Sequence, residues 1–346
     1  MNFSDSVKST VDEKLVPNVV DTITNSSPFN MRILGNQKPW TGTKMKFPIK
    51  YATNTSGGDF DGLDKFTIAK TETRTMMEFS PTGHYQTVTL SGMELDVNAT
   101  DKQVIDLLKI ELATAQTSMI DRLADRWFAY QSDKAFLGLY DAVDDGDTAA
   151  SYGGLTRSTY TGIRGNLTDS TGTLTAAKMR TMMSSCVHGN DKPDMIITTK
   201  AVFGYYEALV EAKVSANYQI NGYPQLTRTG IAPGTQALKG QLGFDAVWFS
   251  GVPVVVDEKI DTGYMAYINS KHLAFYGLKS TKYTPIQFTS SNLESVYSDI
   301  PVTTGFAWSG LLQPIDQYGV VGQIILQGNL ISDSPRHLGL LTGITS

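Results

Sequence analysis

The sequence has few of the residues that build covalent or metal-based sites. It contains one cysteine, Cys186, which excludes an internal disulfide and a structural zinc site of the multi-cysteine kind. The histidines are His84, His188, His272 and His337; no two of them are four residues apart, and no HExxH motif occurs. We therefore expect neither a metal ion nor a cofactor.

Long apolar runs and an excess of positive charge are also absent. No run of about 18 apolar residues occurs, and the opening MNFSDSVKSTVDEKL is polar and acidic, unlike a cationic, apolar signal segment. The formal net charge of -5, from 29 Lys and Arg against 34 Asp and Glu, argues against a protein that wraps nucleic acid with its whole surface. We expect a soluble protein, made in the cytoplasm, without membrane contact.

Motifs for nucleophilic and nucleotide chemistry are missing as well. There is no GxSxG, no GxxxxGK[ST] and no GxGxxG that opens a helix after a strand. Cys186 and His188 are two residues apart, so their side chains would not face each other on a helix, and we expect a buried structural cysteine. These absences indicate that the protein is not an enzyme. An uncharacterised hydrolase that uses Asp144 and Asp145 is kept as an alternative.

The segment 139–157, LYDAVDDGDTAASYGGLTR, is rich in Asp, Gly and Ala. Four of its aspartates lie around Gly146, as in a calcium-binding loop. Aligning Gly146 with the sixth position of such a loop puts Val143 where an oxygen ligand is required and Tyr152 where the bidentate glutamate belongs. The calcium interpretation therefore fails, and we expect a solvated, flexible loop at the junction of two domains.

The longest uninterrupted period in the sequence predicts an amphipathic helix over residues 101–131. Its apolar residues recur at the i, i+3, i+4 spacing of one helix face. The main stripe is Val104, Leu108, Leu112, Ala115, Met119, Leu123 and Trp127. At about 1.5 Å per residue the helix would be a rod about 45 Å long. On its polar face we expect ion pairs along the helix, or with solvent, from Asp121, Arg122, Asp125 and Arg126.

A hairpin is predicted ahead of this helix. The sequence KMKFPIKY (44–51) alternates apolar with polar residues and so predicts a strand, and Pro48 places that strand at a sheet edge. A turn-rich tip at 54–62 and a second alternation at 66–70 predict the returning strand. An isolated hairpin is marginally stable in water, so we expect contacts with another subunit. The preceding segment, 1–35, is predicted to be an arm that needs a partner.

The remaining segments mix helices with strands and predict an α+β fold. Residues 86–97 are predicted to be a strand with a bulge at Gly92, because the parity of the apolar residues shifts there. After the junction we expect helices at 173–187 and 201–214, and strands at 195–198, 246–256 and 263–276. A terminal strand at 320–330 is apolar enough to pair centrally and to return to the strand and helix of the first domain.

This order of elements resembles that of the major capsid proteins of tailed bacteriophages, the Hong Kong 97 capsid fold. The residues that carry the resemblance are the helix run-out DRLADRWFAYQSDKAFLGLYDAV, the pair FSGVPVVVDEKI and YINSKHLAFYG, and the tail GQIILQGNLISDSPRHLGLLTGI. The resemblance implies an N-terminal arm (1–35), an extended hairpin called the E-loop (36–80), a peripheral (P) domain (81–150 and 300–346) with a spine helix at 101–131, and an axial (A) domain (151–299).

The resemblance also implies a function and partners. Copies of the chain would assemble into hexamers and pentamers of an icosahedral shell, in the virion, around double-stranded DNA that they contact weakly and without sequence specificity. Separate scaffold, portal and cement proteins are the further partners expected. An encapsulin-like compartment shell is the alternative within the same fold. We expect inter-subunit contacts at Lys44, Lys46, Lys50, Asp59, Asp61, Arg122 and Arg126.

Overall fold

The computed structural model describes residues 27–66, 68–97, 101–132, 134–218, 247–279, 284–285 and 306–345. The helices in this part of the chain are α1 (Pro28–Gly35), α2 (Gly92–Val97), α3 (Asp101–Trp127), α4 (Leu139–Val143), α5 (Ala176–Cys186) and α6 (Lys200–Tyr218). None of these helices combines the length and the apolar character that crossing a bilayer requires.

The strands alternate with these helices along most of the chain. They are β1 (Lys38–Pro39), β2 (Met45–Lys50), β3 (Arg74–Phe79), β4 (Thr82–Ser91), β5 (Ser151–Tyr152), β6 (Leu155–Thr156), β7 (Asn166–Thr168), β8 (Gly172–Thr173), β9 (Met195–Thr198), β10 (Val247–Phe249), β11 (Val252–Val256), β12 (Met265–Ile268), β13 (Leu273–Gly277), β14 (Thr284–Pro285), β15 (Phe306–Trp308), β16 (Gly319–Ser332), β17 (Gly339–Leu341) and β18 (Ile344–Thr345). The α+β prediction is confirmed.

The first sheet is organised around the long strand β16. This strand pairs antiparallel with β4, β13 and β15, and β4 accompanies it from the Thr82–Gly328 pair to the Ser91–Gly319 pair. The alternating burial of β16 becomes continuous near its end, where both faces are covered. The prediction that the terminal strand pairs centrally and returns to the strand before the long helix is confirmed.

The second sheet has the order β10, β11, β9, β12, β17, β7, with parallel and antiparallel pairs mixed. Strands β9 and β12 are buried along their whole length, as expected for the centre of a covered sheet. One face of this sheet, with Ile197, Val255 and Ala266, packs into the same core as the first sheet. The other face packs on α5 and α6 in a second core that includes Met179, Met182, Cys186, Val202 and Tyr206.

The long helix α3 packs on the first sheet, mainly against β4. It ends at Trp127, before the predicted Gln131. Met119, Leu123 and Trp127 are fully buried, whereas Leu112 is half-buried and packs against the core from its edge. The Trp127 ring stacks on Phe136, with centroids 5.9 Å apart, and the side chain of Leu108 lies outside the described part.

Helix α1 shows that the end of the predicted arm belongs to the subunit itself. Ser27 caps the helix: its Oγ accepts from the Asn30 amide and donates to Asp257 Oδ2 at 2.6 Å. Phe29 and Ile33 are buried in the main core, and the Trp127 indole N–H donates to Asn30 Oδ1 at 2.8 Å. Residues 1–26 of the predicted arm lie outside the described residues.

Two strand predictions are wrong. Residues 92–97 form the helix α2 rather than a bulged continuation of the strand, and the parity shift at Gly92 marks the change from strand to helix. The partner of β2 is β3, not the segment 66–70, whose described residues 66 and 68–70 are not in a strand. The register pairs Met45 with Phe79, so the hairpin returns several residues later than its sequence alternation indicates.

The junction after α3 is a packed ionic cluster, which corrects the prediction of a solvated loop. Asp144 and Arg157 are fully buried and form an ion pair, with 3.4 Å between Oδ1 and Nη1. Arg157 Nη1 also donates to the Ala149 carbonyl at 2.7 Å, and Nη2 donates to the Asp141 carbonyl. The Tyr130 hydroxyl donates to Asp144 Oδ2 at 3.0 Å. The prediction failed because the sequence shows Arg157 at the end of the same segment but not that its side chain folds back onto Asp144.

The glycines provide a test of how closely the backbone packs at this junction. A Cβ added at Gly138 would lie 1.9 Å from the Ala129 carbonyl oxygen, a backbone atom, whereas a Cβ at Gly204 in α6 would meet nothing within 4 Å. We expect Gly138→Ala to lower the free energy of unfolding by about 2–3 kcal/mol, because the backbone must shift. Gly204→Ala should raise it by about 0.5–1 kcal/mol through helix propensity. Chemical denaturation of both variants measures the difference, and equal effects would contradict the packing described here.

Candidate subunit-contact surfaces

The hairpin of β2 and β3 has one face turned to its own subunit. Met45, Phe47 and Ile49 alternate with exposed residues along β2 and pack against the main core. The Phe47 ring contacts Phe79 and Tyr276 edge-on, with centroids 6.0 and 5.5 Å apart. The base of the hairpin is therefore fixed by intramolecular contacts.

The opposite face of the hairpin is charged. Lys44 and Lys46 both form ion pairs with Glu78 across the strands, at 3.2 and 2.8 Å. Hydrogen bonds from Lys46 and then Lys44 lower the pKa of Glu78. Lys50 is exposed and lies directly opposite Arg74, and no described carboxylate forms an ion pair with either of them. Two cations facing each other repel, so this end of the hairpin would gain from an acidic neighbour.

The distal part of the hairpin exposes a group of large apolar side chains, which we call the tip patch: Phe60, Leu63, Phe66 and Ile68. Leu63 and Ile68 are 103% and 95% exposed. Phe60 and Phe66 are exposed and contact each other edge-on, with ring centroids 5.1 Å apart. Asp59 and Asp61 are exposed beside them. Soluble monomers rarely present such a group on an extended loop, so the tip patch indicates an interaction surface.

A second exposed apolar group, the turn patch, lies between β15 and β16. Its members are Leu311, Leu312, Ile315 and Tyr318, of which Ile315 is 102% exposed. The Gly92 amide donates to the Tyr318 carbonyl at 2.9 Å, which brings α2 and its exposed Met93 beside the turn. The Tyr318 hydroxyl donates to Asp96 on the same helix. The turn patch is thus held in place by α2, and its apolar side chains remain uncovered.

The charged side chains near the end of α3 have different environments. Lys259 Nζ lies between Asp121 and Asp125, at 2.6 and 2.9 Å, so these carboxylates pair with a distant lysine rather than with the neighbouring arginines. Arg126 turns back into its own subunit and donates to the carbonyl oxygens of Tyr130 and Phe136, and burial lowers its pKa. Arg122 is exposed.

Several solved structures share this architecture. A chain of the cyanophage A-1(L) capsid asymmetric unit matches with a TM-score of 0.72 at 16% identity, covering 100% of both chains. The SrpI encapsulin of Synechococcus elongatus PCC 7942 matches with a TM-score of 0.57 at 11% identity, covering 99% of this chain and 96% of that one. A chain of the capsid of Myoviridae phage XM1 matches with 0.54 at 11% identity, over 96% and 97%. The chain has the Hong Kong 97 capsid fold. The sequence matches no family model and no curated protein.

Within this capsid fold the predicted contact residues fall into three groups. Exposed residues without an ion pair in the described part of the chain are Lys50, Asp59, Asp61 and Arg122. Lys44 and Lys46 are exposed but neutralised by Glu78. Arg126 is half-buried and donates to backbone carbonyl oxygens just after the end of the long helix. Contact with another subunit remains a prediction for all of them.

The two apolar patches of the capsid fold are functional candidates that the charge-based predictions missed. Leu63 follows the turn-rich tip, where no helix or strand period assigns it to a core, whereas Ile68 lies in the alternation at 66–70 that predicted a strand. Leu312 and Ile315 lie between β15 and β16, also outside any predicted period. For Leu63, Leu312 and Ile315, an apolar residue in a segment without periodicity was the available signal.

The only cysteine of the chain is not a reactive group. Cys186 is fully buried, and burial raises the pKa of its thiol to about 12, so the thiolate is not populated near neutral pH. Its polar neighbours are Asn166 Nδ2 at 3.7 Å and the Met182 sulfur at 3.9 Å. The prediction of a buried structural cysteine is confirmed.

Proposed function

We propose that the chain is the shell subunit of a tailed bacteriophage, which assembles into hexamers and pentamers of an icosahedral capsid around double-stranded DNA. The observation that carries this proposal is the match to a chain of the cyanophage capsid over the full length of both chains. The tip patch supports it, because four large apolar side chains on a hairpin need a covering surface.

In this proposal the parts of the chain have the roles that the capsid fold suggests. The hairpin region 36–80 is the E-loop, 81–150 and 300–346 form the P domain around α3, 151–299 form the A domain, and 1–35 form the arm. The E-loop lies across an adjacent copy of the chain, and the tip patch is its apolar contact. Lys50 and Arg74 then meet an acidic part of that copy, consistent with a chain in which acidic residues outnumber basic ones.

The proposal extends to the other components of the particle. A net charge of -5 suits a shell that contacts packaged DNA weakly, since tight phosphate neutralisation would require clustered cations. Separate scaffold, portal and cement proteins are the proposed partners, and synthesis in the host cytoplasm precedes assembly of the virion. The junction does not favour the hydrolase alternative, because Asp144 is buried and paired with Arg157 and so is not accessible to a substrate.

Removal of the tip patch tests the proposed assembly. We expect the double variant Leu63→Ser/Ile68→Ser to fold normally, because both side chains are exposed in the subunit, and to lose shell formation. Each side chain would contribute about 1.5–3 kcal/mol per interface if fully buried. Electron microscopy and sedimentation of the purified chain, alone and mixed with scaffold and portal proteins, measure assembly, and circular dichroism measures folding.

Val187→Ser is the matched control, since Val187 is an exposed apolar residue at the end of α5, outside both patches. It should assemble as the wild type does. Shells formed by the double variant at the wild-type yield would contradict the role of the tip patch. A wild-type chain that stays monomeric at high concentration with all partners present would contradict the shell function itself.

A second candidate function is an encapsulin-like compartment, favoured by the match to the SrpI encapsulin over 99% of this chain. The content of purified particles separates the two functions. A phage shell is expected to lie in a genomic neighbourhood with portal and terminase genes and to protect DNA from nuclease. A compartment is expected to lie beside the gene of a cargo enzyme and to contain that protein instead.

A further inference from the structure

Three of the histidines meet at one place on the subunit. His272 and His337 stack with ring centroids 4.1 Å apart and an interplanar angle of 16°, and His188 contacts His337 edge-on at 5.2 Å. Asp191 approaches the same group: its Oδ2 lies 3.6 Å from His272 Nε2. One possible ligand atom from each of Asp191, His272 and His337 lies within 4.8 Å of the other two. We propose that these three residues bind a divalent transition-metal ion of the zinc class.

Neighbouring side chains engage the Nδ1 atom of two of these imidazoles. His272 Nδ1 is 2.8 Å from Asp333 Oδ1, and His337 Nδ1 is 2.9 Å from Ser334 Oγ. Engaging Nδ1 in this way leaves Nε2 of each ring for a ligand, and a carboxylate behind a ligating histidine is the common supporting arrangement at zinc sites. His272 Nε2 is buried and has no hydrogen-bond partner among the described residues.

The charges around the site fit an ion with two imidazole ligands and one carboxylate. Lys271 donates to both carboxylate oxygens of Asp191, at 2.7 and 2.9 Å, so this carboxylate already holds a cation. The ion would take the place of the Lys271 ammonium on Asp191.

Closing the site requires one of the two stacked imidazoles to rotate out of the near-parallel arrangement, because a ligated metal lies in the plane of each ring. With metal–ligand bonds of about 2.0–2.1 Å, tetrahedral ligand atoms lie about 3.3 Å apart, so the three ligand atoms, which lie within 4.8 Å of one another, must also approach. Asp191 and Lys271 are on turns, where such a shift is inexpensive. The exposed His188, beside His337, or a water molecule completes the coordination.

The location gives the ion a mechanical role. His272 lies where the chain passes from β12 in the second sheet to β13 in the first, and His337 lies where it passes back from β16 to β17. Asp191 lies on the turn that leads from α5 into β9, the neighbour of β12. A bound ion therefore joins both crossings between the sheets and stabilises their relative position.

Zinc binding to the full-length chain, purified without a histidine tag, tests this proposal. We expect equilibrium dialysis to give one tightly bound zinc ion per chain, and cobalt to give the absorption of a tetrahedral site. Asp191→Asn and His272→Gln should abolish both signals. Asp333→Asn, which leaves the ligands in place, should weaken binding about 10- to 100-fold. His84→Gln is the matched control, because His84 on β4 contacts Phe136 and not this cluster.

The thermal midpoint provides an independent readout that does not depend on shell assembly. Zinc should raise the thermal midpoint of the wild type and of His84→Gln, but not that of Asp191→Asn. Asp191 is near the surface, so this variant should fold, and circular dichroism verifies that it does. Absence of zinc binding by the folded wild type, or equal binding by all the variants, would overturn the proposal.

Discussion

Leu123→Asp is expected to abolish folding of the subunit. Leu123 is 0% exposed and lies between α3 and the first sheet, in the same core as Met119 and Trp127. A carboxylate there would be buried in the hydrophobic core, and burial of an unpaired charge costs several kcal/mol. That cost is comparable with the whole stability of a typical domain, about 5–15 kcal/mol. The measurement is the yield of soluble chain, with circular dichroism and chemical denaturation of any soluble fraction.

The matched control is the preceding residue, which lies on the exposed side of the helix. Arg122→Glu should fold, because Arg122 is exposed, and should at most change assembly. It should also raise the pKa of His84, which burial, followed by the charges of Arg122 and Arg126, holds below its usual value. Nuclear magnetic resonance titration of His84 measures this. Similar losses of soluble chain in the two variants would show that the assignment of helix faces is wrong.

Arg157→Met is expected to lower the free energy of unfolding by about 3–5 kcal/mol, the cost of removing one partner of a buried ion pair. The loss leaves the Asp144 carboxylate buried without its cation and leaves the carbonyl oxygens of Asp141 and Ala149 without their donor. Methionine fills a similar volume, so the effect reports the lost charge and hydrogen bonds more than a cavity. Denaturant unfolding monitored by tryptophan fluorescence measures it.

Arg180→Met separates the loss of a buried ion pair from the chemistry of the substitution. Arg180 is on the exposed face of α5, and we expect its replacement to change stability by no more than about 0.5 kcal/mol. If Arg157→Met were as mild as this control, the ionic cluster would not be what holds the junction together.

Elements whose pattern is local were predictable from the sequence. The period of α3 is visible because Ala115, Met119 and Leu123 repeat on one face. Strand β9 was predicted with its observed bounds because a short apolar run begins directly after Pro193 and Asp194. The same holds for the terminal strand, whose apolar content indicated a central position. In each case the neighbours along the chain carry the information.

Elements that depend on distant residues were not predictable. Arg157 gives no sign in the sequence that it neutralises Asp144, and Lys259 gives no sign that it pairs with Asp121 and Asp125. The Asp191, His272 and His337 group is equally hidden, because each member comes from a separate turn. These pairings arise only when the sheets bring remote segments together, and they therefore require the structure.

The position of β16 and β17 has a consequence for how the protein is made. β16 is the common partner of β4, β13 and β15, and β17 fills the place between β12 and β7. Both sheets therefore need strands from segment 319–341. A nascent chain that has emerged from the ribosome only as far as residue 318 can complete neither sheet. Interrupted translation would leave products that expose both cores, a substrate for chaperones and proteases rather than for a growing lattice.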